Sequence, residues 1–292
     1  MSKMVELFDS LISTSPEVLK KIEQYDLEGR YNEHVDPVNY DACEVVDKNF
    51  KYINKPIKTR IKYFFMRNFI CKPFEKRELK RMGYSVKGRE NLKGIKSAVV
   101  TSNHVLKLDC TLNRAALKGH KLYITAADFN NYKGFLGDVM RSCNMMPMSE
   151  DRASMMNFIR SVNTLLSKNN YVLFYPERSE WWCFKKPRPL LEGAFHFAAK
   201  NNRPIIPNFI TFKENGRVDK NGIKLFDMCV NVLKPIYPKS ELSVKENEKY
   251  LMEENFREWK ECYELTYGIE LKLNEVAKNQ SREKVSARIE ND

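Results

Sequence analysis

Long apolar runs are missing from this 292-residue chain. No uninterrupted stretch approaches the roughly 20 residues that a bilayer-crossing helix needs, and the start, Met1-Ser2-Lys3-Met4-Val5-Glu6, has no apolar signal-peptide core. The expectation is a protein on the cytoplasmic side of a membrane, with neither a transmembrane helix nor a signal peptide. The seven cysteines, Cys43, Cys71, Cys110, Cys143, Cys183, Cys229 and Cys262, are odd in number, scattered and never spaced as CxxC. That pattern argues against a disulfide framework and a zinc site, and reduced structural thiols are expected, with no metal. Glycine is scarce, and Gly134, Gly137 and Gly193 stand in no phosphate-cradling pattern. Ser179 lacks the Gly-x-Ser-x-Gly elbow, which argues against a serine hydrolase. There is no internal repeat or low-complexity block.

Charge is present and unevenly placed. The chain carries 50 Lys plus Arg against 38 Asp plus Glu, and residues 51–100 alone hold 15 basic and 3 acidic side chains, so the excess of +12 sits there. Such a segment suits nucleic acid, an anionic membrane surface or a phosphorylated substrate. Within it, Ile61, Phe65 and Phe69 form one i+4 row and Met66, Ile70 and Phe74 the next, with Phe64 alongside and cations on the flanks. The stripe resembles a helix lying in a membrane interface, although Lys62 falls inside it and must snorkel. An ordinary core-facing helix with a solvated basic flank reads the same way.

Periodicity predicts a largely parallel sheet covered by helices, one domain overall. Residues 1–84 read as a helical arm, with Val5, Phe8, Leu11 and Ile12 at helical spacing, followed by the basic segment. Residues 85–240 read as the α/β core and 241–292 as a long helix with a polar tail. Strands are expected near 97–101, 121–126, 171–175, 205–212 and 228–233, the last after an Asn221-Gly222 turn. Helices are expected at 109–118, 133–143, 152–168, 192–201 and 243–267, and this alternation implies parallel strands with helices on both faces.

In such sheets ligands bind beyond the carboxyl ends of strands, so motifs that follow strands carry most weight. Asn103-His104-Val105-Leu106-Lys107-Leu108-Asp109 follows Ala98-Val99-Val100-Thr101 and sets an imidazole five positions before a carboxylate. A carboxylate that accepts from one ring nitrogen fixes the tautomer and leaves the other nitrogen to take a proton from a hydroxyl. Tyr175-Pro176-Glu177-Arg178-Ser179 follows the next apolar strand, and Pro207-Asn208 lies in a third. His34, His120 and His196 belong to no motif and read as structural. Cys110, beside Asp109, reads as packing.

In order and chemistry these segments resemble the glycerolipid acyltransferases of the 1-acylglycerol-3-phosphate acyltransferase family, over roughly residues 85–235. Asn103, His104 and Asp109 match its Asn-His-x-x-x-x-Asp motif, Pro176-Glu177 the start of its Pro-Glu-Gly-Thr-Arg block, Pro207 its last block, and Leu191-Glu192-Gly193-Ala194 the lead into the intervening helix. The resemblance implies that His104 is the catalytic base, that Asp109 holds it, and that Asn103, Glu177, Arg178 and Ser179 serve the acceptor site. It implies acyl transfer from an acyl-CoA or acyl carrier protein thioester to a hydroxyl of a lysophospholipid or glycerol phosphate, as in phospholipid synthesis, without a further cofactor. The departure is Arg178-Ser179-Glu180 where the pattern has Gly-Thr-Arg, so an acid holds the usual phosphate-binding arginine position. Arg178, Arg152, Lys185, Lys186 and Arg188 are the substitutes at hand. Trp181 and Trp182, with Phe64, Phe65 and Phe69, are the expected membrane-interface residues. The implied partners are an anionic membrane, the thioester donor and a lysolipid. The competing readings are a non-catalytic lipid-binding protein of the same fold and, more remotely, a basic nucleic-acid-binding protein, for which no recognition module is present.

Overall fold

The computed structural model describes residues 14–38, 40–219 and 222–274. Helix α1 (Pro16–Leu27) opens them, started by the Ser15 side chain accepting from the Val18 N–H and by Pro16 in the first turn. The basic segment forms three consecutive pieces: α2 (Ile57–Phe65), a π-type turn (Met66–Cys71) and α3 (Lys72–Arg81). Then come β1 (Ser85–Lys87), β2 (Ala98–Ser102), α4 (Asp109–Ala116), β3 (Leu122–Ala127), α5 (Gly134–Ser142) and β4 (Met145–Met148). The chain continues through α6 (Arg152–Ser167), β5 (Tyr171–Phe174), α7 (Gly193–Lys200), β6 (Ile205–Val218), β7 (Lys224–Val232) and α8 (Val244–Tyr267).

The seven strands line up as β1-β7-β6-β2-β5-β3-β4. Neighbours are parallel except β6 and β7, which pair as an antiparallel ribbon, so the expected mostly parallel sheet with helices around it is what forms. Side-chain alternation splits the core in two. Ala98, Val100, Tyr171 and Leu173 face α4 and α1 with Leu112, Ala116, Val18 and Ile22. Val99, Val172 and Phe174 face α6 and α7 with Phe158, Val162, Phe195 and Ala198. From β2 the chain crosses one face by α4 to β3; from β5 it crosses the other face by α7 to β6. The connections thus leave β2 and β5 over opposite faces, and the carboxyl ends of these strands are where ligands bind in such sheets.

Several expectations change. The stretch 28–56 is woven into the core instead of standing off as an arm: Tyr31 and Val35 pack in one cluster, Val46 and Tyr52 in the other. Strands β1 and β4 went unpredicted. Both are edge strands of three and four residues, and β4 contains Pro147, which an edge tolerates. The π-type turn adds a residue to the helical path and splits only the second i+4 row: Met66 is buried and Phe74 packs on the core while Ile70 is exposed, whereas Ile61, Phe65 and Phe69 stay together on the exposed face with Phe64. The expected row Val5, Phe8, Leu11 and Ile12 lies outside the described residues, as do Asn221 of the expected turn and the polar tail from 275 on. Among the described residues no helix is long and apolar enough to cross a membrane.

Helix α8 closes the second face. A capping box between Ser243 and Glu246 starts it and Gly268, at φ 66°, ends it. Trp259 is fully buried against Phe209 of β6, with ring centroids 5.7 Å apart. Truncating Trp259 to alanine is expected to cost about 3–5 kcal/mol of stability, read as a lower denaturation midpoint.

Candidate active site

The site is built from the turn that ends β2. Asn103 is buried and mimics a strand residue: its Nδ2 donates to the Ile210 carbonyl (3.0 Å) and its Oδ1 accepts from the Ile210 N–H (2.7 Å). Anchored in this way to β6, the chain turns immediately and delivers His104 over the sheet edge. The ring Nδ1 lies 2.7 Å from Asp109 Oδ2, the first residue of α4, and the same oxygen accepts from the Val105 N–H at 3.2 Å. An ionised carboxylate only accepts, so Nδ1 carries the hydrogen and Nε2 holds a lone pair. Nε2 makes no hydrogen bond with a described residue. The His104 side chain is 23% exposed while Asp109 is 1% exposed, so one edge of the ring is held and the other opens outward. Tyr175, at the end of β5, stacks on the ring with centroids 4.2 Å apart. Burial works to lower the His104 pKa. The charge and hydrogen bond of Asp109, with Glu180 adding, more than offset it, so the imidazole titrates above its usual 6.5.

A buried knot fixes the loops around this pair. Glu177 and Arg188 are each 1% exposed and pair at 3.0 Å. Glu177 Oε2 also accepts from the His104 N–H (3.0 Å), and Oε1 accepts from the Arg188 N–H (2.8 Å). Arg188 donates further to the Tyr31 carbonyl (3.0 Å), the Ser179 hydroxyl and the Ser179 carbonyl, and lies over the Trp181 ring. Burial lowers the Arg188 pKa, with the neighbouring Glu177 working against it. The Trp181 N–H donates to the His104 carbonyl and the Cys183 N–H to the Val105 carbonyl, which lays segment 180–183 beside the histidine.

These contacts correct several expectations. Asn103, Glu177 and Ser179, expected in the acceptor site, are buried and satisfied inside the protein: the Ser179 hydroxyl donates to the Glu33 carbonyl at 2.7 Å. They hold the site's backbone instead of facing a ligand. Arg188, expected to meet a phosphate, is enclosed with Glu177. Lys186 pairs with Asp26 at 2.7 Å, and Lys185 lies over Tyr267. Arg152 opens α6 beyond β4, three strands from β2, roughly 14 Å away at ordinary strand spacing. Of the five cations expected there, Arg178 is the one that is exposed and adjoins Glu177, at φ 71°. Trp181 and Trp182 are 0% and 6% exposed and belong to the core, where Trp181 packs on Tyr25 and Tyr31 and its Nε1 donates to the Glu33 carbonyl. They form no membrane surface.

Other parts were missed. Asn208 Nδ2 donates to Asn113 Oδ1, and Asn113 Nδ2 donates to the Ser102 hydroxyl and the Asp109 carbonyl, a buried relay that locks α4 to β2 and β6. Asn113 one helical turn after Asp109 was the available signal. His34 and Asp36 approach the site from the N-terminal segment: the His34 pKa, lowered chiefly by burial, also feels Arg178 and His104, and Asp36 acts on Glu180. Nothing in their sequence marked them. Replacing Arg188 by alanine leaves the Glu177 carboxylate buried without its ion-pair partner. A loss of about 3–5 kcal/mol in urea unfolding is expected.

A family model described as acyltransferase matches residues 83–211, a span containing His104, Asp109, Glu177 and Arg188. No curated protein matches the chain. Among solved structures, the crystal structure of the 1-acyl-sn-glycerophosphate (LPA) acyltransferase PlsC from Thermotoga maritima is similar over 70% of this chain and 87% of that one, at 20% sequence identity and a TM-score of 0.48.

Proposed function

We propose that this protein is an acyltransferase that moves a fatty acyl group from an acyl-CoA or acyl carrier protein thioester to a hydroxyl of a lysophospholipid at a membrane surface. The observation that carries the reading is the His104–Asp109 contact of 2.7 Å with the opposite ring nitrogen open. His104 Nε2 takes the proton of the acceptor hydroxyl as its oxygen bonds to the thioester carbonyl carbon. Asp109 holds the ring and stabilises the imidazolium. Collapse of the tetrahedral adduct breaks the carbon–sulfur bond, and His104 returns its proton to the departing thiolate. The surroundings favour direct transfer over an acyl-enzyme. Burial, with Asp109 beside it, pushes the Cys110 thiol up to about 12, and the Ser179 hydroxyl is turned to Glu33.

The membrane part of the proposal rests on exposure. Phe64, Phe65 and Phe69 are 61%, 55% and 69% exposed, beside exposed Ile57 and Ile61 and the cations Lys58, Arg60 and Lys72. Phe65 and Phe69 stack on each other. Helix α2 and the π-type turn pack on α5, whose exposed Phe135 sits where the chain leaves the carboxyl end of β3. That is the edge of the sheet from which His104 projects. Aromatics fringed by cations at this edge fit the headgroup region of an anionic bilayer.

With purified protein, His104→Ala is expected to lower acyl transfer by ~10² to 10⁴, and Asp109→Asn to lower it strongly with the fold intact. Near-normal turnover in His104→Ala contradicts the mechanism. Replacing Phe64, Phe65 and Phe69 together by serine removes apolar surface worth roughly 1.5–3 kcal/mol per fully buried ring. Co-sedimentation with phosphatidylglycerol vesicles should fall at least tenfold; unchanged sedimentation contradicts this surface assignment.

A further inference from the structure

Two constraints at right angles hold the His104 ring. The first lies in the ring plane, where Asp109 Oδ2 takes the Nδ1 hydrogen at 2.7 Å. An in-plane contact alone leaves the ring free to tilt about that hydrogen bond, and such a tilt swings Nε2 away from an acceptor hydroxyl. The second constraint lies across the plane. The Tyr175 ring is stacked on the imidazole, with centroids 4.2 Å apart and 20° between the planes.

Sheet register sets that stack. β5 pairs directly with β2, Phe174 beside Thr101, so Tyr175 leaves its strand level with Ser102, two residues before His104. The turn that follows is closed by the Arg178 N–H donating to the Tyr175 carbonyl (3.0 Å), and Glu177, two residues on, accepts from the His104 N–H (3.0 Å). The Tyr175 ring also packs on the core. Its hydroxyl is enclosed and makes no hydrogen bond of ordinary geometry with a described residue. Burial, with Asp109 nearby, pushes the phenol well above its usual 10, so the ring stays neutral. Tyr175 therefore offers the site the face of its ring and not its hydroxyl.

A neutral aromatic face is electron-rich and attracts a cation held over it. His104 becomes such a cation when it takes the proton of the acceptor hydroxyl. Building on the acyl-transfer reading above, we propose that Tyr175 is a positioning residue of the reaction: its ring blocks out-of-plane tilt of the neutral imidazole and stabilises the imidazolium that forms. Asp109 then governs the ring within its plane and Tyr175 across it.

The test uses the full chain with palmitoyl-CoA or palmitoyl-acyl carrier protein and lysophosphatidate, lysophosphatidylglycerol or lysophosphatidylethanolamine in mixed micelles, keeping the pair on which the wild type is fastest. His104→Ala serves as the blank. Tyr175→Phe keeps the aromatic face and should retain kcat; Tyr175→Leu loses the face and should lower kcat about tenfold with KM little changed. In Tyr175→Leu the ¹⁵N titration of the His104 ring and the acid limb of kcat/KM should both move to lower pH by about 0.5 unit or more, because the imidazolium has lost its support. Tyr175→pentafluorophenylalanine keeps the ring shape while removing the electron-rich face, and should move the titration in the same direction even where Tyr175→Leu fails to fold. An unmoved His104 titration in the fluorinated variant overturns the inference and leaves the acyl-transfer reading standing. So does an equal loss of kcat in Tyr175→Phe and Tyr175→Leu. Absence of His104-dependent transfer to any acceptor overturns both.

Discussion

Glu177 and Arg188 hold two opposite charges almost out of reach of water, and the candidate active site hangs on that pair. A buried ion pair gains from mutual attraction only when its remaining hydrogen-bonding capacity is filled. Here the filling partners are the backbone of His104, the backbone of Arg188, Ser179 and the carbonyl of Tyr31. The pair consequently ties together the loop after β2, the loop after β5 and the N-terminal segment. His104 is not free to drift, because its N–H is bound to Glu177 and its carbonyl to Trp181. The geometry of the His104–Asp109 contact is a product of this clamp as much as of the motif that contains it.

The sheet supplies the second level of order. β2 lies between β5 and β6, and the chain departs from β2 and β5 over opposite faces. At the carboxyl ends of these two strands His104 and Tyr175 stack on each other. The basic, aromatic helical segment is then held against α5 at the same edge. The exposed aromatics and the open edge of His104 are on one side of the molecule, and both follow from connectivity.

The core of the fold was readable because its strands are apolar runs bounded by turns and its helices keep a 3.6-residue period. The edges were not: Ser85–Lys87 and Met145–Met148 are too short to show a period, and Pro147 argues against a strand unless the edge position is known. The His104–Asp109 pair was legible because both partners lie within five residues. Glu177 was legible as important but not in its role, since its enclosure depends on Arg188 eleven residues later and on Tyr31 far upstream. Trp181 and Trp182 misled for a related reason. Adjacent aromatics near lysines read as an interface, whereas residues 28–35 fold over them and bury them. Asp36 carried no local signal, because its proximity to Glu180 exists only after the N-terminal segment packs.

The central claim is that Asp109 holds His104 as a neutral base whose proton affinity is raised. It is tested most directly by ¹⁵N NMR titration of the His104 ring alongside the pH dependence of kcat/KM. A base must be unprotonated to act, so a raised pKa places the acid limb of the rate profile above 6.5, and activity falls as pH drops through it. The account predicts an Nδ1–H tautomer, a ring titration coinciding with that limb, and a shift of both to lower pH in Asp109→Asn. A His104 ring that titrates at or below 6.5 and does not respond to Asp109→Asn would contradict it.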